Sequence, residues 1–181
     1  LLVHDDGNSQ DTLQARINGY LQLNGNKYPA QAIHRIDYET SGLVLFCKHP
    51  FFQAYCDKNM EEHHIKKDYI ALVQGHTNYK NKKIVSNIAR DRHNAKKMII
   101  HPNGKESISI FNTLKNYKDY SLIQVTILTG RKHQIRVQCA SLKHPILNDS
   151  LYGGKRIDNT GLLLQSHHIQ FNDIDIICPQ E

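Results

Sequence analysis

The chain has 181 residues, which is enough for one ordinary domain with a hydrophobic core of its own. Hydrophobic residues make up 39% of it and charged residues 22%, a balance that favours a folded protein over a disordered one. The formal net charge is +6 at pH 7, so acidic partners such as nucleic acid deserve consideration. No apolar run approaches membrane-spanning length, which excludes proteins built on membrane helices.

The start of the chain and its cysteines favour a cytoplasmic fragment. Residues 1–6 lack the basic leader and small-residue cleavage site of a secretory signal, and the sequence opens without Met inside an expected strand. The four cysteines are 9, 83 and 39 residues apart, which fits neither a CxxC metal motif nor a dense disulfide framework. We therefore expect reduced thiols and one N-terminally truncated, monomeric domain over residues 1–181.

The positive charge is concentrated in two basic tracts. Residues 80–105 hold eight Lys and Arg but only one acidic residue, Asp91, while 131–156 hold six against Asp149 alone. The rest of the chain must then be net acidic. One such tract alone is better interpreted as a solvated face, but the pair together raises the prospect of a polyanion-binding surface.

Periodicity and turn residues predict an α+β domain with a mixed, mostly antiparallel central sheet and flanking helices. Helices are expected at 12–23, with Ser9 or Asp11 as N-cap, after Pro50, and at 132–142. Strands are expected where apolar or alternating runs lie between turn residues: 42–48, 68–74, 83–89, 98–101, 107–114, 121–128, 161–171 and 174–178, with a strand end at 1–4.

The densest group of reactive side chains lies at residues 34–42, directly before the apolar run 43–46. Arg35 and Asp37 are two residues apart, so on extended backbone both side chains point the same way. Asp37 would lie at a junction of strand and loop, where catalytic groups are often found. Taken alone, an Asp in a turn beside a surface Arg is the better interpretation.

A second group, at residues 130–138, would open a helix after Gly130 and place Lys132, His133 and Arg136 within one turn. A helix N-terminus with Lys and Arg suits phosphate, and an Arg beside a carboxylate keeps it ionised. A solvated basic helix turn is again the more common structure. Two weaker groups are the strand containing Lys67 and Tyr69 and the turn-rich segment 144–154.

Metal and nucleotide chemistry find little support in the sequence. The pairs His63-His64 and His167-His168 have the wrong spacing for a shared metal ion, and no H-E-x-x-H motif occurs. There is no Walker-type or G-x-G-x-x-G loop and no G-x-S-x-G motif. We therefore expect neither a metal nor a cofactor.

As an ordered set, these four groups resemble the RluA-type pseudouridine synthases across nearly the whole chain. The motifs that carry the resemblance are His34-Arg35-Ile36-Asp37-x-x-Thr40-Ser41-Gly42, Lys67-x-Tyr69, Gly130-Arg131-x-His133-Gln134-Ile135-Arg136-Val137 and His144-Pro145-Ile146-x-x-Asp149-x-x-Tyr152-Gly153. The resemblance implies a mixed sheet with an RNA-binding cleft. The implied reaction converts uridine in RNA to its C-glycoside isomer without a cofactor.

The resemblance also implies roles for individual residues. Asp37 resembles the essential catalytic Asp, Tyr69 the tyrosine that packs on the uracil, and Arg136 the arginine that pairs with the catalytic Asp. Arg35 resembles the arginine that enters the RNA stack and helps flip the target base. Further RNA contacts are expected from basic and histidine side chains of the two tracts and the first motif: His34, Arg131, Lys132, His133, Lys96 and Lys97.

The chemistry of the reaction accounts for these residue types. The bond from C1′ to N1 must break, the uracil must turn, and C5 must join C1′. A carboxylate can add covalently at C1′, stabilise positive charge or take a proton, and each of these needs it ionised. The sequence leaves these routes open. A stacked tyrosine would hold the uracil, and its hydroxyl could relay a proton.

The sequence departs from the family pattern in four places. Lys132 and Gln138 replace a usual Thr and His, Asn148 replaces a usual Gly, and Leu164-Gln165-Ser166 stands where Leu-His-Ala is frequent. Large-subunit ribosomal RNA is the expected substrate and transfer RNA the alternative. Two other hypotheses remain: a non-catalytic RNA-binding module on the same fold, and a metal-dependent hydrolase.

Overall fold

The computed structural model describes residues 1–4 and 11–179 of the chain. Its helices are α1 (Leu13–Leu23), α2 (Gln53–Glu61) and α3 (Gln134–Ser141), with a short 3-10 turn at Pro50–Phe52 before α2. Its strands are β1 (Gln31–Ala32), β2 (Ser41–Gly42), β3 (Phe46–Cys47), β4 (Lys66–Gln74), β5 (Lys82–Arg90), β6 (Met98–Ile100), β7 (Lys105–Asn116), β8 (Tyr120–Ile127), β9 (Leu164–Phe171) and β10 (Ile174–Ile177).

Eight of these strands form one sheet in the order β10-β9-β4-β8-β7-β5-β6, with β2 added beside β9. Every neighbouring pair is antiparallel except β2 and β9, which run parallel. The predicted fold class, α+β with a mixed and mostly antiparallel sheet, is therefore confirmed. The remaining strands β1 and β3 pair only with each other.

The core lies on the face of the sheet that α3 covers. Alternating residues of the central strands supply it, because successive side chains of a strand point to opposite faces. Ile135 and Cys139 of α3 pack against Tyr69, Phe111 and Val125 of the sheet. A second cluster joins α2 to the end of β9, where Cys56 meets Ile169 and Phe171. Most residues on the opposite face of the central strands are only half-buried.

The structure corrects several predicted boundaries. Helix α1 is capped by Thr12, whose hydroxyl accepts from the Ala15 N–H at 3.1 Å, while Asp11 pairs with Arg16 and Ser9 lies outside the described residues. The strand predicted over 42–48 is two short pieces, β2 and β3. Between them the backbone bonds elsewhere: the Leu43 N–H donates to the Ser166 carbonyl at 2.9 Å.

Two other elements begin later than predicted. Helix α3 starts at Gln134 instead of residue 132, because His133 adopts a left-handed conformation that cannot continue a helix. Strand β9 starts at Leu164 instead of residue 161, and at the N-terminus only an isolated bridge joins Leu2 to Thr12.

Among residues 1–4 and 11–179, no helix combines the length and the apolar character needed to cross a membrane. Within the same ranges, no group of three His, Cys, Asp or Glu side chains is arranged to hold a metal ion.

Candidate active site

A cavity of about 520 Å³ lies where the loop before β2 meets the segment that leads into α3. This size falls within the ~300–1,000 Å³ typical of small-molecule sites. Its lining contains most of the residues singled out in the first and third motifs, together with the strand tyrosine: Arg35, Asp37, Tyr69, Arg131, Lys132, His133 and Arg136. Side chains that are 30 to 100 residues apart in sequence therefore line one space.

Asp37 is held at the rim of this cavity by a tight turn. The Thr40 N–H donates to the Asp37 carbonyl at 3.0 Å, and β2 begins at the next residue. Arg35 is exposed and Asp37 is half-buried, and both line the cavity, as the two-residue spacing predicts. The Ile36 side chain between them packs on the main core and fixes the loop to the sheet.

Gly42 is required for the approach of this loop to β9. Its φ is +103°, a conformation that L side chains rarely adopt. A Cβ at this position would lie 2.2 Å from the Ser166 carbonyl oxygen. The glycine of the first motif therefore allows β2 to contact β9 closely and sets the position of the Asp37 turn.

Arg136 is almost fully buried, with only 3% of its surface exposed, so the alternative of a solvated basic helix turn is wrong. Its guanidinium binds Asp149 through two hydrogen bonds: Nε donates to Oδ2 at 2.8 Å and Nη2 to Oδ1 at 2.7 Å. The same Nη2 lies 3.1 Å from Glu39 Oε2. Bidentate pairing of this kind fixes both the place and the orientation of the guanidinium.

The observed partners of Arg136 differ from the expected one, which was Asp37. The ion-pair partners of the guanidinium are Asp149 and Glu39, and its charge reaches Asp37 through space. Sequence reasoning missed the role of Asp149, which stood in the fourth motif without an assigned partner. The pair joins α3 to the loop 145–154, and no local spacing could have indicated it.

His133 connects the start of α3 to Asp37. Its left-handed backbone, with φ 54° and ψ 22°, is uncommon for a residue other than glycine, and such conformations cluster at functional sites. The His133 backbone N–H interacts with the Asp37 carboxylate and lowers its pKa. This donor belongs to the unsatisfied N–H groups at a helix N-terminus, which favour negative charge.

The His133 ring is buried and belongs to a chain of hydrogen bonds. The Met98 N–H donates to the Tyr152 hydroxyl at 2.8 Å, and that hydroxyl lies 2.8 Å from His133 Nδ1. Burial, with the charges of Arg136 and Lys132, lowers the pKa of His133 to about 4.

The pKa of Asp37 reflects opposing effects. Burial raises it above the ordinary carboxyl value, while Arg136, the His133 N–H, Lys132 and Arg35 act against that rise. The net shift is upward. Arg136 therefore favours ionisation of Asp37, as expected, without cancelling the cost of burial.

Tyr69 lies on β4 with its ring in the main core and 6% of its surface exposed. Burial, with the nearby Asp37 charge, raises the pKa of its hydroxyl to about 12, so the phenol is protonated at neutral pH. It therefore offers the cavity an aromatic ring and a proton donor beside a carboxylate.

The remaining predicted RNA contacts divide by position. His34 lies outside the cavity lining, and its Nε2 accepts from the Leu45 N–H at 3.1 Å, a contact that supports the apolar run. Lys96 is exposed on the turn between β5 and β6. Lys97 lies over the Tyr152 ring, with Nζ 5.5 Å from the ring centroid.

A second cavity, of about 490 Å³, adjoins the first and shares Gly130, Arg131 and Lys132 with it. Its lining also contains Arg90 and Lys105. The two basic tracts of the sequence therefore meet in space beside the Asp37 cavity.

The four departures from the family pattern have local explanations. Asn148 has φ 63°, in the left-handed region, which Asn tolerates better than most residues other than glycine. Gln138 is fully buried and donates to Ser86 Oγ at 3.0 Å, which ties α3 to β5. Lys132 is exposed at the cavity, and Gln165 donates from Nε2 to the Pro179 carbonyl at 3.1 Å.

Comparison with known proteins assigns the chain to a family. The family model described as RNA pseudouridylate synthase matches residues 1–141. The chain belongs to the RNA pseudouridylate synthase family. This match, together with relatives named ribosomal large subunit pseudouridine synthases C and D, confirms the resemblance to RluA-type enzymes.

Named bacterial relatives are similar over much of this chain. The uncharacterized RNA pseudouridine synthase YhcT of Bacillus subtilis is 37% identical over 153 residues, which are 83% of this chain and 50% of that protein. Ribosomal large subunit pseudouridine synthase C of Buchnera aphidicola is 38% identical over 135 residues, 74% of this chain and 42% of that protein. The chain spans about half the length of these relatives.

Solved structures support the fold. The human RNA pseudouridylate synthase domain containing 1 superposes with a TM-score of 0.80 at 22% identity, covering 99% of this chain and 82% of that one. The human RNA pseudouridylate synthase domain containing 4 gives the same TM-score at 18% identity.

Proposed function

We propose that this chain is the catalytic domain of an RNA pseudouridine synthase, with Asp37 as its catalytic carboxylate. One observation carries the proposal: Asp37 lies at a cavity that also contains Tyr69, with an electropositive groove adjoining it. A binding module needs no carboxylate facing a polyanion. A metal-dependent hydrolase needs a cluster of ligands, and the described residues contain none.

Each route between uridine and its C-glycoside isomer depends on an ionised carboxylate near C1′. The His133 N–H and the charges of Arg136 and Lys132 stabilise the ionised form of Asp37 within a half-buried site. Preorganised donors of this kind act more strongly in a site that excludes water. Asp149 and Glu39 hold the guanidinium of Arg136 so that its charge stays in place during the reaction.

Tyr69 is proposed to hold the uracil while it turns. Its ring is fixed by the core, so it offers a rigid stacking surface, and stacking on an aromatic side chain contributes ~1–3 kcal/mol per base. The neutral phenol beside Asp37 can also relay the proton that C5 loses, by giving its own proton to the freed Asp37 carboxylate as it accepts that one.

Arg35 is proposed to enter the RNA stack when the target nucleotide leaves it. Extruding a base costs a few kcal/mol, which contacts made by the protein must offset. The exposed Arg35 side chain lies two residues from Asp37 and lines the same cavity. The flanking phosphates would follow the second cavity, whose rim contains Arg90, Lys105 and Arg131.

Large-subunit ribosomal RNA is the proposed substrate class. Relatives from Buchnera aphidicola and Borreliella burgdorferi are named ribosomal large subunit pseudouridine synthases C and D. Transfer RNA is the alternative substrate, and mapping of modified uridines in cells that lack this protein separates the two.

The test is tritium release from RNA labelled at uracil C5. We expect the protein to release tritium without cutting the strand, and Asp37→Asn to lose at least ~10³-fold in rate, because no other carboxylate among the described residues lines the cavity. Asp57→Asn, an exposed change on α2, is the matched control and should retain wild-type activity. Tight RNA binding with the label intact would favour the binding module, and strand scission would favour the hydrolase.

A further inference from the structure

Strand β9 contains a bulge beside the candidate active site. Along its pairing with β4, Asp68 lies opposite His168 but the next residue, Tyr69, lies opposite Ser166, so His167 is the extra residue. Burial along β9 changes phase at the same point: Leu164 and Ser166 are buried before the bulge, and Ile169 and Phe171 after it. Bulges of this type re-aim side chains and are frequent next to active sites.

Ser166 is the point at which the two halves of the site meet. On one side it pairs with Tyr69 of β4, and on the other with Gly42 of β2. Its carbonyl accepts the Leu43 N–H at 2.9 Å. The register of β9 at Ser166 therefore sets where Tyr69 lies relative to the turn that contains Asp37.

A buried carboxylate anchors the bulge from the opposite face of the sheet. Asp68 is 1% exposed, and its side chain points away from that of Tyr69 because neighbours in a strand alternate. Its Oδ1 accepts from the Thr126 hydroxyl of β8, and its Oδ2 lies 2.9 Å from His168 Nδ1. The side chain thus bonds to both strands that flank β4 at the bulge.

The His168 ring joins this carboxylate to the edge strand. Its Nε2 lies 2.7 Å from Asp175 Oδ1 on β10, so each ring nitrogen faces a carboxylate oxygen. Both nitrogens donate only when the imidazole is protonated. The other charged group at this point is Lys66 of β4, with Nζ 3.3 Å from Asp68 Oδ2.

A cluster of charged groups such as Asp68, His168 and Asp175, which includes a buried carboxylate, lowers the stability of the fold unless each group has a hydrogen-bond partner or an opposite charge. An ionised carboxylate inside a sheet loses hydration that only hydrogen bonds and an opposite charge can replace. Asp68 meets that requirement through contacts on β8 and β9 that exist only when the bulge is in register. A slip of one residue would leave the carboxylate without His168, so the pair selects one register.

We propose that Asp68 and His168 form a positioning pair for the site on the other face of the sheet. By holding the β9 bulge in register, the pair sets the place of Tyr69 relative to Asp37. The effect on turnover rests on the proposed function, whereas the effect on the backbone does not.

The test compares two replacements of His168 that place the amide nitrogen differently. In Asn the side-chain nitrogen takes the place of Nδ1 and can still donate to Asp68, whereas in Gln it takes the place of Nε2 and cannot. We expect His168→Gln to lower kcat by roughly 10- to 100-fold, since small misplacements of reacting groups have effects of this size. His168→Asn should stay within about threefold of wild type.

The matched control is His167→Gln, because His167 is adjacent in β9 and, among the described side chains, its ring hydrogen-bonds only Gln165 Oε1, at 3.3 Å. KM for RNA should change less than about twofold in all three variants, because the basic groove is made by other elements. Thermal unfolding monitored alongside ensures that each rate refers to folded protein.

A pH profile separates positioning from simple stabilisation. The hydrogen bond to Asp68, with that to Asp175, raises the pKa of His168, while its partial burial acts the other way. The protonated ring, which donates to both Asp68 and Asp175, is fully present at pH values below the ordinary pKa of histidine. It is lost as the pH rises through the raised pKa of His168. The neutral ring can still donate from Nδ1 to Asp68, as Asn does, so wild-type kcat should fall over that range by no more than about threefold, a step that His168→Asn lacks.

Amide hydrogen exchange at Leu43 tests the backbone without any activity. Its N–H bonds to the Ser166 carbonyl, so exchange should accelerate at least ~10-fold in His168→Gln and stay unchanged in His167→Gln. If wild type releases no tritium, the proposed function fails while this readout still decides the positioning. Equal exchange and equal kcat in His168→Gln and His167→Gln would overturn the positioning pair.

Discussion

Asp37 is a carboxylate that the fold holds in a partly dehydrated place and surrounds with positive groups. Burial raises its pKa, and the His133 N–H, Arg136 and Lys132 oppose that rise. Functional groups often destabilise the fold that contains them, since their environment is arranged for the reaction and not for the resting protein.

Replacing Asp37 with Asn should therefore stabilise the protein while abolishing its activity. The raised pKa means that the folded state binds the proton more tightly than the unfolded chain, so wild-type stability falls as the pH rises through this range. Asn removes the carboxylate whose ionisation the fold disfavours. Urea unfolding at pH 7 should show a higher midpoint for Asp37→Asn, with a difference that vanishes below about pH 4.

A lower midpoint for Asp37→Asn at pH 7 would contradict this account of the carboxylate's environment. Asp57→Asn is the control, since Asp57 is exposed on α2. Its midpoint should match that of the wild type at both pH values.

At this scale the sequence predicted the residues of the site better than their partners. Arg35, Asp37 and Tyr69 stood out because motif order indicated them, and all three line one cavity. The binding of Arg136 to Asp149 joins residues from a helix and a distant loop. The periodic sequence patterns of helices and strands cannot predict a contact of that kind.

Strand β9 organises the elements around the site. It pairs with β4 on one side and with β2 on the other, so both halves of the cavity depend on its register. Gly42 is the point of closest approach between β2 and β9.

Gly42→Ala should lower both stability and kcat. The new Cβ would overlap the Ser166 carbonyl, and the positive φ of Gly42 is itself unfavourable for alanine. We expect a loss of at least ~1 kcal/mol in the free energy of unfolding. The measurement is chemical denaturation, with kcat determined on the folded fraction.

Gly19→Ala is the comparison variant, and it should raise the stability that Gly42→Ala lowers. Gly19 lies inside α1, and outside its own helix backbone no atom of the described residues lies within 4 Å of its Cβ position. Alanine should therefore stabilise the protein by about 0.8–1 kcal/mol through helix propensity. Equal effects of the two substitutions would mean that the β2–β9 contact does not constrain the site.

At the scale of elements, prediction succeeded where alternation was regular and failed where it was interrupted. Strand β8 was predicted to within a residue because its buried positions alternate. The apolar run 43–46 looked like a buried strand, but these residues are half-buried against α2 and β9. The start of α3 was placed early because the left-handed backbone of His133 has no signature in its side chain.

For the whole molecule, the distribution of charge matters more than its total. The net charge of +6 leaves the partner open, but the two basic tracts converge on the second cavity beside the Asp37 cavity. The sequence predicted the tracts and the fold class, whereas their convergence depends on the antiparallel path of β5, β7 and β8.

RNA binding should depend on salt through this groove. Lys105 lines the second cavity, so Lys105→Met should reduce the slope of log K against log salt by about 0.7 if it contacts one phosphate. Lys58→Met, on α2 where Lys58 pairs with Glu62, should leave the slope unchanged. Binding titrations at several salt concentrations measure both, and equal slopes for the two variants would place the RNA elsewhere.

The central claim is that this domain converts uridine to its C-glycoside isomer through Asp37. The most direct measurement counts pseudouridine formed and tritium released in one reaction with RNA labelled at uracil C5. The account predicts one pseudouridine for each tritium released from an intact strand, and neither product with Asp37→Asn. Tritium release without pseudouridine, or pseudouridine formed at the wild-type rate by Asp37→Asn, would contradict it.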